Sequence, residues 1–128
     1  MAAAKATANP LQIVQFNTAE TAIIQYAALF QSTSADMTAR LPAGADSSLK
    51  FLGFAADALV SGATSIGVIT SGFAIAKAAS AITAGDNLGS GGATGTVQTY
   101  SSGTVIGRAM DSAGAAGDLI RVEIIKTA

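Results

Sequence analysis

The feature that most constrains the fold of this chain is an internal repeat. Residues 51–57 (Phe-Leu-Gly-Phe-Ala-Ala-Asp) align with residues 105–111 (Val-Ile-Gly-Arg-Ala-Met-Asp). The matched pairs at the same offset are Gly53 and Gly107, Ala55 and Ala109, Asp57 and Asp111, Ile66 and Ile120, and Val68 and Val122. Each copy has the pattern of a strand with a central Gly, an Asp-led loop and an alternating return strand. The repeat predicts two similar β-units that close around one core and leave few exposed sheet edges.

Further strands are indicated outside the repeat. Residues 11–16 alternate between apolar and polar side chains, and residues 118–125 show the clearest alternation in the chain. Residues 17–30 are ambiguous, because Asn17 followed by Glu20 resembles the capping box of a helix. The repeat favours a strand there, since residues 23–29 correspond loosely to the strand expected around Leu88.

The uncharged window 58–76 is long enough to span a bilayer as a helix. However, Ser, Thr and Gly separate its short β-branched clusters, and this pattern predicts two buried strands and a turn. The predicted fold is mainly β, a single compact β-barrel or β-sandwich domain. Residues 1–16 would form a flexible N-terminal arm followed by the first strand, and residues 17–128 the β-rich body.

Composition and charge exclude several functions. The seven Lys and Arg residues are scattered along a chain of net charge −1, a pattern unlike the clustered basic residues of nucleic-acid-binding proteins. Only 12% of the residues are charged, well below the ~25% of a typical soluble domain. A surface with so few charges is suited to being covered by neighbouring molecules. We expect neither a nucleic-acid partner nor a membrane partner.

No pattern in the sequence supports catalysis or a cofactor. The chain has no His and no Cys, so the usual ligands of zinc and the base of a serine triad are missing. The Gly-rich run 89–95 lacks the spacing of a nucleotide-binding loop and predicts a mobile hairpin. The carboxylates of Asp57, Asp86, Asp111 and Asp118 are expected to accept backbone hydrogen bonds in turns. We therefore expect no catalytic residues, no metal site and no cofactor.

Two longer segments resemble a known family. They are residues 68–86 (Val-Ile-Thr-Ser-Gly-Phe-Ala-Ile-Ala-Lys-Ala-Ala-Ser-Ala-Ile-Thr-Ala-Gly-Asp) and 105–124 (Val-Ile-Gly-Arg-Ala-Met-Asp-Ser-Ala-Gly-Ala-Ala-Gly-Asp-Leu-Ile-Arg-Val-Glu-Ile). Both resemble the small capsid decoration, or cement, proteins of tailed bacteriophages, over roughly residues 20–125. The resemblance implies a non-enzymatic β-barrel or β-sandwich protein that sits as a homotrimer on the outer capsid surface of the virion. Such a protein binds the major capsid protein and stabilises contacts between its subunits.

The N-terminal segment is the part of the chain that we expect to touch the shell or a neighbouring subunit. Within residues 2–16, the predicted contact residues are Asn9, Pro10, Leu11 and Ile13. An alternative function is that of a β-type adhesin or fibre module of a virion or cell surface. That alternative would be favoured by a signal peptide or by a cluster of sugar-binding aromatic residues, and the sequence shows neither.

Overall fold

The computed structural model describes residues 9–45 and 48–126, and every regular element within these ranges is a β-strand. The strands are β1 (Asn9–Thr18), β2 (Ala28–Gln31), β3 (Thr38–Arg40), β4 (Phe51–Ala55), β5 (Ser65–Lys77), β6 (Asn87–Ser90), β7 (Val97–Thr99), β8 (Gly107–Ala109) and β9 (Leu119–Ile124). The predicted mainly β fold is confirmed. Residues 1–8 of the predicted arm lie outside the described residues.

The first five strands form a closed barrel. Going round the ring, β1 pairs with β3, β3 with β2, β2 with β4, β4 with β5, and β5 with β1 again. All of these pairings are antiparallel except that of β1 with β3, where Asn17 lies opposite Thr38. The ring leaves no strand of this unit without a neighbour on each side, which is how small β-proteins avoid exposed edges.

A second unit repeats the strand order of the first and shares β5 with it. The first half of β5 pairs with β1 and β4, and its second half, from Phe73 to Lys77, pairs with β9. From β9 the order continues through β8 and β6 to β7. A parallel bridge between Ala78, directly after β5, and Val97 of β7 joins the ends of this second ring. We call the two rings the first and the second barrel.

The strand register confirms the internal repeat residue by residue. The paired positions are Phe54 with Ile69 and Ala55 with Val68 in the first barrel, and Arg108 with Glu123 and Ala109 with Val122 in the second. The two repeat glycines also allow the same close approach between neighbouring strands. A Cβ on Gly107 would lie 2.7 Å from the carbonyl oxygen of Glu123, and one on Gly53 would overlap the equivalent carbonyl oxygen of Ile69.

The buried side chains form two clusters instead of the single core expected from the sequence. Most of the lining of the first barrel has a buried counterpart in the second. The pairs are Phe16 and Ala76, Ile23 and Ile82, Leu29 and Leu88, Ala39 and Val97, Ala55 and Ala109, Ile66 and Ile120, and Val68 and Val122. The single core was the wrong expectation, because each unit closes on itself and so encloses its own apolar side chains.

Three aromatic rings pack at the junction of the two barrels. The ring centroids of Phe30 and Phe51 are 5.4 Å apart, and those of Phe51 and Phe54 are 5.2 Å apart, both pairs edge to face. These rings belong to the same buried cluster as the lining of the second barrel. They therefore hold the barrels against each other through large apolar contacts and favourable ring geometry.

Two local interpretations of the sequence need correction. The helix-like segment 17–30 is the end of β1, a loop and β2, and Glu20 caps no helix, because its Oε2 accepts the backbone N–H of Leu41 at 2.9 Å. The correspondence of Leu29 with Leu88, by contrast, is confirmed. Window 58–76 contains a loop followed by most of a single 13-residue strand, and not two strands, since β5 continues past Gly72 to Lys77. In the described ranges, no helix is long and apolar enough to cross a membrane.

The repeat glycines give a direct test of this fold. We expect Gly107→Ala to lower the free energy of unfolding by about 1–3 kcal/mol, because the new methyl group would press on the backbone of β9. Gly44→Ala is the matched control, because a Cβ there meets no atom within 4 Å. Urea unfolding of both variants measures the difference, and equal stability of the two would contradict the close packing of β8 on β9.

Candidate interaction surface

The loops that leave the two barrels form two rims at opposite ends of β5. The first rim consists of loops 19–27 and 56–64, next to the start of β5, and the second rim of loops 78–86 and 110–118, next to its end. Equivalent hydrogen bonds seal the two rims to the strands. The N–H of Thr18 donates to the carbonyl of Thr64 at 2.9 Å, and the N–H of Ala78 donates to that of Asp118, also at 2.9 Å.

The rims share a common backbone frame. In the first rim, the N–H of Tyr26 bonds the carbonyl of Ala55 and the N–H of Leu59 bonds that of Ile23. The second rim repeats these hydrogen bonds with Gly85 to Ala109 and with Ala113 to Ile82. Ile24, Tyr26 and Val60 of the first rim therefore correspond to Thr83, Gly85 and Gly114 of the second.

At these three positions the first rim has larger side chains than the second, whereas the exposed apolar residue of the second rim is Met110, which corresponds to Ala56 of the first. Val60 is 73% exposed and Ile24 is 38% exposed, and Tyr26, two residues after Ile24, is half-buried. The Gln25 side chain links the two loops that hold these residues, because its Nε2 donates a hydrogen bond to the carbonyl of Ala56 at 3.3 Å. Apolar residues exposed on adjoining loops are the composition typical of a protein interaction site.

Tyr26 occupies a strained backbone conformation. Its φ is 72°, in the left-handed region, and the equivalent Gly85 has a φ of 96°. A side chain in this region costs of order 1–3 kcal/mol, whereas glycine adopts it freely. Both rims therefore need a left-handed backbone conformation at this position. The second rim has glycine there, which adopts it freely, and the first has Tyr26.

Three carboxylates of the second rim are used internally. Asp86 Oδ2 accepts the N–H of Thr83 at 3.2 Å and the hydroxyl of Thr99 at 3.1 Å. Asp118 Oδ2 accepts the N–H of Gly114 at 2.9 Å. Asp111 accepts three hydrogen bonds, all of them from Arg121. The expectation that these aspartates accept backbone hydrogen bonds in turns is confirmed for Asp86 and Asp118, whereas the backbone N–H that Asp111 accepts belongs to Arg121 of β9.

Asp111 and Arg121 form the strongest ion pair among the described residues. Arg121 Nη2 donates to Asp111 Oδ1 at 2.7 Å, and its Nε and backbone N–H both donate to Oδ2 at 2.9 Å. The side-chain hydrogen bonds of Arg121 hold the pKa of Asp111 below its ordinary value of 3.8, against the opposing effect of partial burial. The same contacts raise the pKa of Arg121.

Asp57, the counterpart of Asp111 in the first rim, has no such partner. The residue equivalent to Arg121 is Gly67, which offers no side chain. Within the described parts of the chain, no donor is hydrogen-bonded to the Asp57 carboxylate and no cation pairs with it. The prediction that Asp57 accepts a backbone hydrogen bond in a turn is therefore wrong. Its carboxylate is exposed and unpaired, in the same loop as the exposed Val60.

The predicted contact residues Asn9, Pro10, Leu11 and Ile13 lie in β1, in the wall of the first barrel. The backbone of Asn9 pairs with Phe73 of β5 and that of Ile13 pairs with Ile69. The Ile13 side chain points outward and is 52% exposed. These residues are not part of either rim, and their contact with a shell stays a prediction.

A depression within the first rim offers little chemistry. It is a groove of about 460 Å³ lined by Thr18, Ala19, Glu20, Thr21, Ser61, Gly62, Ala63 and Thr64. Its one carboxylate, on Glu20, is already bonded to the backbone of Leu41. Among the residues that the structure describes, no three His, Cys, Asp or Glu side chains are placed to hold a metal ion.

The sequence interpretation missed the first rim because each of its residues is unremarkable alone. One signal was present. The correspondence of Leu29 with Leu88 aligns Tyr26 with Gly85 in sequence. A tyrosine aligned with a turn glycine indicates that a side chain is kept where the backbone conformation favours glycine. The unpaired Asp57 could likewise have been noticed by aligning Gly67 with Arg121.

A search of solved structures finds a fold like this one. The head fiber gp8.5 N base of bacteriophage phi29 is similar, with a TM-score of 0.67 and 22% sequence identity, over 91% of this chain and 98% of that chain. At this identity the likeness shows the shared fold. No protein-family model matches the chain, and no curated protein matches its sequence.

The contrast between Asp111 and Asp57 predicts a pH effect on stability. The depressed pKa means that the ionised Asp111 stabilises the fold at pH values above 3.8, and that this stabilisation is lost as the pH falls through the folded-state pKa. We expect Asp111→Asn to lower the urea midpoint at pH 7 and the difference from the original protein to shrink below pH 3.8. Asp57→Asn, the matched control, should leave the midpoint nearly unchanged at either pH.

Proposed function

We propose that this protein is a non-enzymatic structural component of a tailed-phage virion, which binds the outer surface of the head as a decoration protein. Its partner is the major capsid protein, and its role is to stabilise contacts between subunits of the shell. We further propose that it acts as a homotrimer. The resemblance of residues 68–86 and 105–124 to capsid decoration proteins supports this function.

The observation that carries the proposal is the extent of the structural likeness to the phi29 head fiber base. The match includes 98% of that chain and 91% of this one, so it involves both barrels and the β5 strand that joins them. A likeness limited to one small barrel would be weaker support, because simple barrels recur in proteins of many functions. A head-associated protein with the whole two-barrel architecture favours a place on the head for this chain as well.

A second candidate function is that of a fibre base, and the same likeness favours it. In that case the protein would also attach to the head, and its purpose would be to carry a longer projecting partner. The two candidates share the first step, which is binding to the shell. They differ in what a particle saturated with the protein looks like, and in whether the protein changes the strength of the shell.

Co-sedimentation with expanded heads that lack this protein tests the proposal. We expect saturable binding, with a copy number per shell that matches trimers on an icosahedral lattice, and greater resistance of the loaded heads to heat. Light scattering of the free protein measures the trimer directly. Binding at a few sites with no gain in heat resistance would favour the fibre base, and absence of binding to expanded heads would contradict both.

A further inference from the structure

We infer that the first rim is the surface that docks on the head shell, and that a Lys or Arg side chain of the shell protein pairs there with Asp57. This inference rests on the proposed function and deepens it, because it names the end of the molecule that binds and the chemistry of its partner. The residues that carry it are Ile24, Tyr26, Asp57 and Val60, together with Gly67, which has no side chain to pair with Asp57.

The internal repeat supplies the first step, because it acts as a control within one molecule. The two rims have equivalent backbone hydrogen bonds, so the fold itself requires no large side chain at Ile24, Tyr26 or Val60. The second rim builds the same frame with Thr83, Gly85 and Gly114. The backbone frame therefore does not account for the exposed Ile24 and Val60, and a docking partner would.

The second step is the strain at Tyr26. Glycine at this position would keep the N–H bond to Ala55 and would adopt a φ of 72° without cost. A tyrosine held there against its conformational preference is explained by what its ring contacts in a complex. Tyrosine is among the residues most enriched at the energetic centres of protein interfaces, and the exposed Ile24 and Val60 lie in the same two hydrogen-bonded loops.

The third step identifies the occupant by its charge. In the second rim the guanidinium of Arg121 neutralises Asp111 from within the chain. In the first rim Gly67 stands in the place of Arg121, and the Asp57 carboxylate is left without a cation. A basic side chain from a partner can pair with Asp57 as Arg121 pairs with Asp111, once the flexible end of Gln15, which lies over Gly67, moves aside. The surface is thus complementary to an apolar patch that carries a Lys or Arg, which we assign to the shell protein.

The decisive experiment separates binding from stability at Tyr26. Tyr26→Gly should weaken co-sedimentation with expanded heads by about tenfold or more, because an aromatic anchor is lost. Its melting temperature should stay equal or rise, because the strain is relieved. Met110→Ser is the matched control, since Met110 is an exposed apolar residue of the second rim, and its binding should not change. A residue with a purely structural role would lose stability and would not lose binding alone.

A second experiment tests the charge at Asp57. Asp57→Lys should weaken binding by about tenfold or more. The control Asp36→Lys reverses an exposed carboxylate outside the first rim and should bind normally.

Gly67→Arg should form the missing ion pair within the chain and compete with the shell for Asp57. A Cβ at Gly67 meets only the flexible end of Gln15 at 3.1 Å and Ile13 at 3.7 Å, so the substitution is accommodated.

Gly67→Met adds similar bulk without charge, and it should bind more tightly than Gly67→Arg. The difference in binding between Gly67→Met and Gly67→Arg should disappear when Asp57→Asn is combined with each of them.

If the original protein binds heads and the first-rim variants bind equally well, the inference is overturned and the proposed function stands. If the original protein does not bind, both are overturned. If the variants instead change from oligomer to monomer, the occupant is a second copy of this chain and the assignment to the shell is wrong.

Discussion

The structure depends on the continuity of β5, a strand of 13 residues that belongs to both barrels. Its first half closes the ring of β1 and β4, and its second half opens the ring that continues through β9. Neither ring can form without its half of this strand. Gly72, with a φ of 90°, lies where the strand passes from one barrel to the other. Because a single strand is shared, the barrels are fixed in relation to each other, and the two rims must lie at opposite ends.

This sharing also explains why equivalent positions on the outer faces carry different chemistry. Phe54 and Ile69 pair across β4 and β5, and both are buried because the second barrel covers them. Their counterparts Arg108 and Glu123 pair across β8 and β9, remain exposed and form an ion pair at 3.7 Å. An ion pair so exposed contributes little to stability. The same cross-strand position is therefore apolar where it joins the barrels and charged where it meets water.

Much of this fold could be predicted from the sequence, because the repeat marks the elements that depend on local pattern. Gly53 and Gly107 sit where a strand crosses close to its neighbour, and alternation identifies β9. The parts that could not be predicted depend on contacts distant in sequence. Gly72 looks like a turn signal until β9 is present to pair with the residues after it. Likewise, the loop before β2 resembles a helix start, and only the folded chain brings the backbone N–H of Leu41 to the carboxylate of Glu20.

The candidate surface was harder to predict than the fold, and the reason lies in how duplicated units diverge. Packing constrains the total side-chain volume inside each barrel, so a change in size at one position is offset at another. The first barrel combines the large Phe16 with the small Ala39, and the second has the small Ala76 and the larger Val97 at the equivalent positions. No such constraint acts on the rims. Once two equivalent frames exist in one chain, one can keep the residues that suit the fold, as Gly85 does, and the other can accept a cost such as that at Tyr26. With only 12% charged residues available, the docking that we infer for the first rim depends on the position of a few side chains, and its proposed specificity rests on the carboxylate of Asp57 and the apolar side chains of the same loops.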